Sequence, residues 1–157
     1  MPRTGDRIPD LPLALASGDA ATLHGYAGGQ WLVLYFYPKD STPGCTTEGL
    51  DFSALHEQFR AANTLVFGVS RDGLKSHENF RCKQNFAFEL ISDKDEALCQ
   101  LFDVMRLKKL YGREYMGVDR STFLIDAEGV LRREWRSVKV AGHAAEVLQA
   151  ARELAGA

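Results

Sequence analysis

The run Trp-Leu-Val-Leu-Tyr-Phe-Tyr at residues 31–37, closed by Pro38, most limits what this chain can fold into. It is apolar throughout and rich in aromatic and β-branched residues, so it reads as a buried strand. Pro38 ends the strand, and Pro43-Gly44 punctuate the loop that follows. Beyond the loop, Phe52, Leu55 and Phe59 recur at spacings of three and four, as one face of a helix does. A strand therefore hands over to a helix, and Cys45 stands at the junction. Thr42 suits the N-cap and Pro43 the first helical position, which puts Cys45 in the first turn. There the free backbone N–H groups and the positive end of the helix dipole favour a thiolate over a thiol. A buried cysteine that packs as a small hydrophobe is the ordinary alternative.

The rest of the chain contains no internal repeat, linker or low-complexity segment. Residues 10–15 and 21–23 read as a small N-terminal hairpin, turned at Ser17-Gly18-Asp19. The helix after Cys45 is expected to run to about Arg60. A second buried strand follows at 64–70, a helix at about 74–84 and a short strand at 88–91. Ser92 and Asp93 open a helix with Ala97, Leu98, Leu101 and Phe102 on one face, and Glu96 completes the pattern of a capping box. Residues 122–125 and 130–135 form a hairpin around 126–129. A last helix carries Ala144, Val147, Leu148, Ala151 and Leu154 at helical spacing. Periodicity alone yields an α/β fold with a mixed sheet.

At 157 residues and a formal net charge of −2, the chain fits one domain with a real core and gives no case for a nucleic-acid partner. The basic cluster Arg132, Arg133 and Arg136 alternates with apolar residues, as the wet face of a strand does. No apolar run approaches the ~18 residues of a membrane span, and the acidic, Pro-interrupted N-terminus does not resemble a signal peptide. A cytoplasmic, thiol-reducing setting is the default, in which cysteines at 45, 82 and 99 point to redox chemistry rather than a disulfide framework. They form no zinc pattern and no Cys-x-x-Cys, since the position three after Cys45 is Glu48. Without that pair, a thioredoxin-type disulfide oxidoreductase is disfavoured.

Pro38, Thr42 and Cys45 reproduce the Pro-x-x-x-Thr-x-x-Cys motif of the peroxiredoxins. The longer string Tyr-Pro-Lys-Asp-Ser-Thr-Pro-Gly-Cys-Thr-Thr-Glu resembles their PrxQ branch, also called bacterioferritin comigratory protein. Arg120-Ser-Thr-Phe-Leu-Ile-Asp is similar to the family's Arg-bearing strand, and the likeness covers most of the chain. It implies a thioredoxin-like fold, a central mixed sheet flanked by helices with an N-terminal β-hairpin. It also implies a thiol peroxidase that reduces hydrogen peroxide and organic hydroperoxides. Cys45 would be the nucleophile and form a sulfenic acid. Arg120 would supply a permanent positive charge and a fixed fork of donors, and Thr42 a hydroxyl to the peroxide. The Gly44 and Cys45 N–H groups would donate further, and Pro38 would shield the sulfur. No cofactor is implied, because sulfur performs the redox step. Thioredoxin or a similar dithiol would recharge a monomeric enzyme.

Relatives often place a resolving cysteine five residues after the peroxidatic one, and here that position is Leu50. Other PrxQ-like proteins use the helix after the second strand, where Cys82 lies. On a helical wheel Cys82 falls within about 80° of Leu74 and Phe86 but about 160° from Phe80, so its facing is divided. Cys99 points roughly 130° from its helix's apolar residues, which reads as exposed or partner-facing. Resolution by Cys82, by Cys99 or by no internal thiol stays open, as does a redox sensor or holdase on the same fold. A Cys45–Cys82 bond would demand local unwinding, which Gly49 within the helix would ease. His24, His56, His77 and His143 read as surface residues or caps, and Lys39 with Asp40 as a solvated loop pair. Tyr111, Tyr115 and Trp135 read as hairpin and loop packing, and residues 107–116 as a variable loop near the site.

Overall fold

Side chains along 31–37 point alternately to opposite sides, so one sheet carries a core on each face. The computed structural model describes residues 2–18, 20–27 and 29–155. Strands β1 (Pro12–Ala14) and β2 (Ala20–Thr22) form the expected N-terminal hairpin, whose turn residue Asp19 lies outside the described residues. Helix α1 (Leu23–Ala27), which the sequence reading lacks, leads to β3 (Trp31–Phe36). Then follow α2 (Pro43–Ala54), α3 (His56–Ala61), β4 (Thr64–Ser70), α4 (Leu74–Gln84), β5 (Glu89–Ser92) and α5 (Ala97–Leu101). The chain continues through β6 (Met105–Leu110), β7 (Arg113–Val118), β8 (Ser121–Ile125) and β9 (Leu131–Trp135) to α6 (His143–Ala155). The main sheet has the order β5-β4-β3-β8-β9, with β3, β4 and β5 parallel and β8 and β9 antiparallel.

Leu32, Leu34 and Phe36 of β3 join Phe67, Phe102 and Phe123 in one core. Trp31, Val33, Tyr35 and Tyr37 join Phe52, Phe59, Phe80 and Val147 in the other. The helix expected to reach Arg60 is broken at Leu55 (φ −99°, ψ 5°), and the break lets Phe52 and Phe59 both reach full burial, 5.9 Å apart. No helix among the described residues is long and apolar enough to cross a membrane.

Several expectations are corrected. Residues 107–116 are not a loop but most of a β6–β7 hairpin, whose tip residues Tyr111 and Gly112 both have positive φ (49° and 75°). That geometry suits a tight two-residue connection, and the Lys and Arg residues around it hide the strand alternation. Tyr111 is 95 % exposed at this tip and packs against nothing large, whereas Trp135 Nε1–H donates to Glu146 across to α6 (3.2 Å). The capping box is also absent. Asp93 instead accepts the N–H groups of Leu98 (2.9 Å) and Cys99 (2.7 Å), so α5 starts four residues later than expected. In so short a helix the mean apolar direction does not define a face, and Cys99 is fully buried in the core rather than exposed. Burial and the Asp93 carboxylate push its thiol well up, away from reactivity.

Gly49 has a different reason from a helix poised to melt. A Cβ there would collide with Phe86 Cζ and lie 2.8 and 3.0 Å from its Cε1 and Cε2. The ring cannot step aside, being stacked on Phe88 (5.3 Å) and edge-on to Phe80 (5.0 Å). In Gly49→Ala the helix-propensity gain of about 1 kcal/mol is outweighed by overpacking that costs about 1–3 kcal/mol. The urea midpoint is expected to fall, and a rise would show that the ring can repack.

Candidate active site

The loop 38–42 leaves the C-terminal end of β3, the end of the parallel strands β3–β5 outside which open α/β folds place their sites. Ser41 takes a left-handed conformation (φ 62°), which turns the chain back so that Thr42 is extended and Pro43 starts α2. Thr42 holds the N-cap position, but its hydroxyl caps nothing: it donates to the Lys39 carbonyl at 2.8 Å and so braces the loop. The oxygen's lone pairs remain available to a ligand's donor. Pro38 and Thr42 are half-buried at this edge, and Cys45 is 2 % exposed in the first turn of α2, against the aromatic core.

Arg120 reaches the same turn from the start of β8. The register Phe36↔Ser121 sets it beside the end of β3, and its carbonyl accepts from Val138 N–H (2.9 Å). Its Nη2–H donates to Cys45 Sγ at 3.5 Å, and Nη1–H donates to Glu48 Oε1 at 2.6 Å. Gly44 completes the fit, since a Cβ there would stand 3.3 Å from Nη2. Burial works against the guanidinium charge, but Glu48 and Cys45 outweigh it and hold Arg120 protonated.

Glu48 is a site residue that the sequence reading passed over. It lies three residues after Cys45, hence on the same helix face, and that spacing was the available signal. Its residue is 1 % exposed, and Oε2 has no hydrogen-bond partner among the described residues. Burial pushes its carboxyl from 4.5 up to about 7, against the pull of Arg120. The group next to the sulfur is thus a carboxyl that gains and loses its proton near neutrality.

Cys82 stands apart. It is exposed on α4, and its thiol donates to Glu78 Oε1 at 3.2 Å, which pushes the thiol up from its ordinary range. All three cysteines are free. Asp40 is not solvated but 6 % exposed, and His77 and His143 are buried, so they are neither surface residues nor solvent-facing caps. His77 bonds Asp40 (2.7 Å) and His143 bonds Thr122 (2.8 Å), partners too distant in sequence for local patterns to reveal. Burial lowers His143 to about 4 and keeps it neutral.

A thioredoxin-like sheet with a buried cysteine at a helix start, met by an arginine from a neighbouring strand, defines a thiol-based redox enzyme. Residues 4–134 match the model of the AhpC/TSA family, and the chain belongs to that family. It is 60 % identical over 141 residues to Peroxiredoxin Bcp of Xanthomonas campestris pv. campestris, covering 90 % of this chain and 88 % of the relative. It is 49 % identical over 150 residues to Peroxiredoxin Bcp of Bacillus subtilis, covering 96 % and 95 %. Among solved structures, a Xanthomonas campestris bacterioferritin comigratory protein, studied for alkyl peroxide reduction, superposes with TM-score 0.88 at 56 % identity, covering 92 % of each chain. A serine variant of Xylella fastidiosa PrxQ gives TM-score 0.92 at 47 % identity, covering 98 % and 97 %. The chain is therefore a peroxiredoxin, a thiol peroxidase.

Glu48 makes a pH prediction. Between pH 4.5 and about 7 the folded protein keeps a proton that the unfolded chain releases, so stability tied to this group falls as pH rises through that window. Glu48→Gln is neutral throughout. Its urea midpoint relative to wild type is expected to rise from pH 4.5 to pH 7 and then level off. A difference that stays flat across this range would count against a raised Glu48.

Proposed function

We propose that this peroxiredoxin reduces hydrogen peroxide and organic hydroperoxides through Cys45, with Cys82 as its resolving thiol. The observation that carries the reading is the Arg120 Nη2 to Cys45 Sγ contact of 3.5 Å at the buried start of α2. A thiolate there attacks the terminal peroxide oxygen and the O–O bond breaks. Two electrons pass from sulfur to oxygen, and the alkoxide or hydroxide leaves and takes up a proton. Cys45 becomes a sulfenic acid. Arg120 and the Gly44 and Cys45 N–H groups are donors for the charge that develops on oxygen. The Thr42 hydroxyl oxygen, whose proton is committed to the Lys39 carbonyl, accepts from the hydroperoxide O–H, and Pro38 limits water at the sulfur.

The Cys82 sulfur then attacks the sulfenic sulfur, the S–S bond forms, and hydroxide leaves with the thiol proton as water. A dithiol such as thioredoxin reduces the disulfide and restores both thiols. Because Cys45 is buried and Cys82 exposed, and a disulfide needs Cα atoms within about 7 Å, this step requires local unwinding. The enzyme acts in this reading as a monomeric single domain in the cytoplasm.

Peroxide consumption with a thioredoxin system tests the scheme. Cys45→Ser is expected to fall to background, and undiminished activity would overturn the central claim. Cys82→Ser should consume roughly one equivalent and stop at a trappable Cys45 sulfenic acid. Wild type treated with one equivalent should yield a Cys45–Cys82 disulfide on peptide mapping. Persistent sulfenic acid in wild type, unchanged by Cys82→Ser, would mark a one-cysteine enzyme instead.

Arg120→Lys tests the fork of donors. A hydrogen bond to a charged group contributes about 1.5–3 kcal/mol, so kcat/KM for peroxide should drop about ten- to hundredfold. A drop below twofold would remove Arg120 from the site.

A further inference from the structure

The loop 38–42 anchors a second group of buried polar side chains, which the chemistry above leaves unused. The Asp40 carboxylate accepts three hydrogen bonds: Tyr37 Oη–H to Oδ1 (2.6 Å), and Ser76 Oγ–H (2.8 Å) and His77 Nδ1–H (2.7 Å) to Oδ2. His77 is fully buried, and its Nε2–H donates to the Ile91 carbonyl at 2.8 Å. A carbonyl only accepts, so Nε2 must carry a proton, and the second proton is held between imidazole and carboxylate. Burial pushes the Asp40 carboxyl up, but hydrogen bonds from His77 and Tyr37 outweigh it and hold the group below its usual range. The arrangement is a buried, hydrogen-bonded carboxylate–imidazole pair.

The pair ties the site loop to α4. The Asp40 N–H also donates to Asp72 Oδ2 (2.9 Å), which accepts from Ser70 Oγ (2.6 Å). Asp40, Asp72 and His77 bring potential metal ligands within 4.8 Å of one another, but each is already bonded within the protein, as an internal clamp is.

Helix α4 buries only His77 and Phe80. Beyond Phe80 it is held by Arg81, whose Nε–H donates to the Phe88 carbonyl (2.9 Å), and it ends at Asn85 in a left-handed turn (φ 54°). The last turn of α4 itself buries no side chain, so unwinding it uncovers apolar surface chiefly at Phe86 just beyond the helix, packed on Phe80 and Phe88. Unwinding past His77 would strand a buried charge without its partner. The helix that carries Cys82 thus has a loose end and a pinned end, and the pin is a residue of the peroxide-binding loop.

We infer that Asp40 and His77 are a positioning pair that holds the loop 38–42 and the first turn of α4 in place while the segment carrying Cys82 unwinds toward Cys45. The inference rests on the proposed resolving role of Cys82 for its second half only. The first half, the hold on the peroxide-binding loop, concerns the reduced enzyme and is independent of Cys82.

Two measurements test it on the full chain. In the reduced state, the second-order rate of Cys45 oxidation by peroxide should fall about ten- to hundredfold in His77→Ala, because Thr42 and the first turn of α2 that follow the loop lose their placement. Asp40→Asn should fall likewise, and it serves if His77→Ala does not fold. Val147→Ala in α6, which loosens the same core away from the loop, is the control, and the two rates are compared at matched loss of Tm. A control that slows oxidation equally, or pair variants within twofold of wild type, would overturn the positioning role.

The second measurement is hydrogen exchange of wild type before and after one equivalent of peroxide. The Phe86 amide, bonded to the Arg81 carbonyl, should lose protection on oxidation. The His77 amide, bonded to the Gly73 carbonyl, and the Asp40 amide should keep theirs. Equal loss at all three would refute the pin. If no Cys45–Cys82 disulfide forms, the resolving role fails, and so does the half of the inference that rests on it; the reduced-state rates still decide the other half.

Discussion

The contact from Arg120 to both Cys45 and Glu48 is the interaction on which the site depends. It joins β8 to α2, elements more than 70 residues apart (|i−j| of 72 and 75), and it does so at one turn of helix. The guanidinium is placed by its backbone. The antiparallel register of β8 on β3 and the Val138 N–H leave it little freedom to swing away. A planar fork fixed at its root can serve two acceptors at once, which a flexible lysine ammonium cannot do with the same geometry. The Glu48 contact, at 2.6 Å, is the shorter of the two and orients the fork, with the sulfur at 3.5 Å.

The sheet explains why this contact lies where it does. The parallel strands β3 and β4 end on the same side and release the two loops, 37–42 and 71–73, that supply Asp40 and Asp72. Both cores press on β3, so its C-terminal end is a rigid platform for a loop that would otherwise be mobile. Rigid support under a loop lets donors keep an arrangement suited to the developing charge rather than to water.

Much of this was legible in the residues. The buried strands β3 and β4, α6 and the cysteine at the start of α2 follow from periodicity and punctuation, and Arg120 followed from its place in a family-like strand. What escaped depended on distance in sequence. His77 finds Asp40 37 residues away and His143 finds Thr122 21 residues away, so neither histidine could be told from a surface residue. Cys99 was misdirected because a helix of one and a half turns takes its orientation from Asp93 and the core, not from its own apolar pattern. Gly49 looked like a weakness in a helix. Only the packed structure shows that it makes room for Phe86.

Asp40 and Glu48 sit in one stretch of chain on either side of Thr42, both almost fully buried, and the protein treats them in opposite ways. Asp40 receives three donors, among them the His77 ring, and remains charged. Glu48 has Arg120 on one oxygen and no partner on the other among the described residues, and burial wins. A charged carboxylate, held by hydrogen bonds from three side chains, anchors the loop. The carboxyl that shares Arg120 with the sulfur instead gains and loses its charge near neutrality. The same hydrogen-bond count that stabilises one carboxylate, withheld from the other, separates the loop's support from its chemistry.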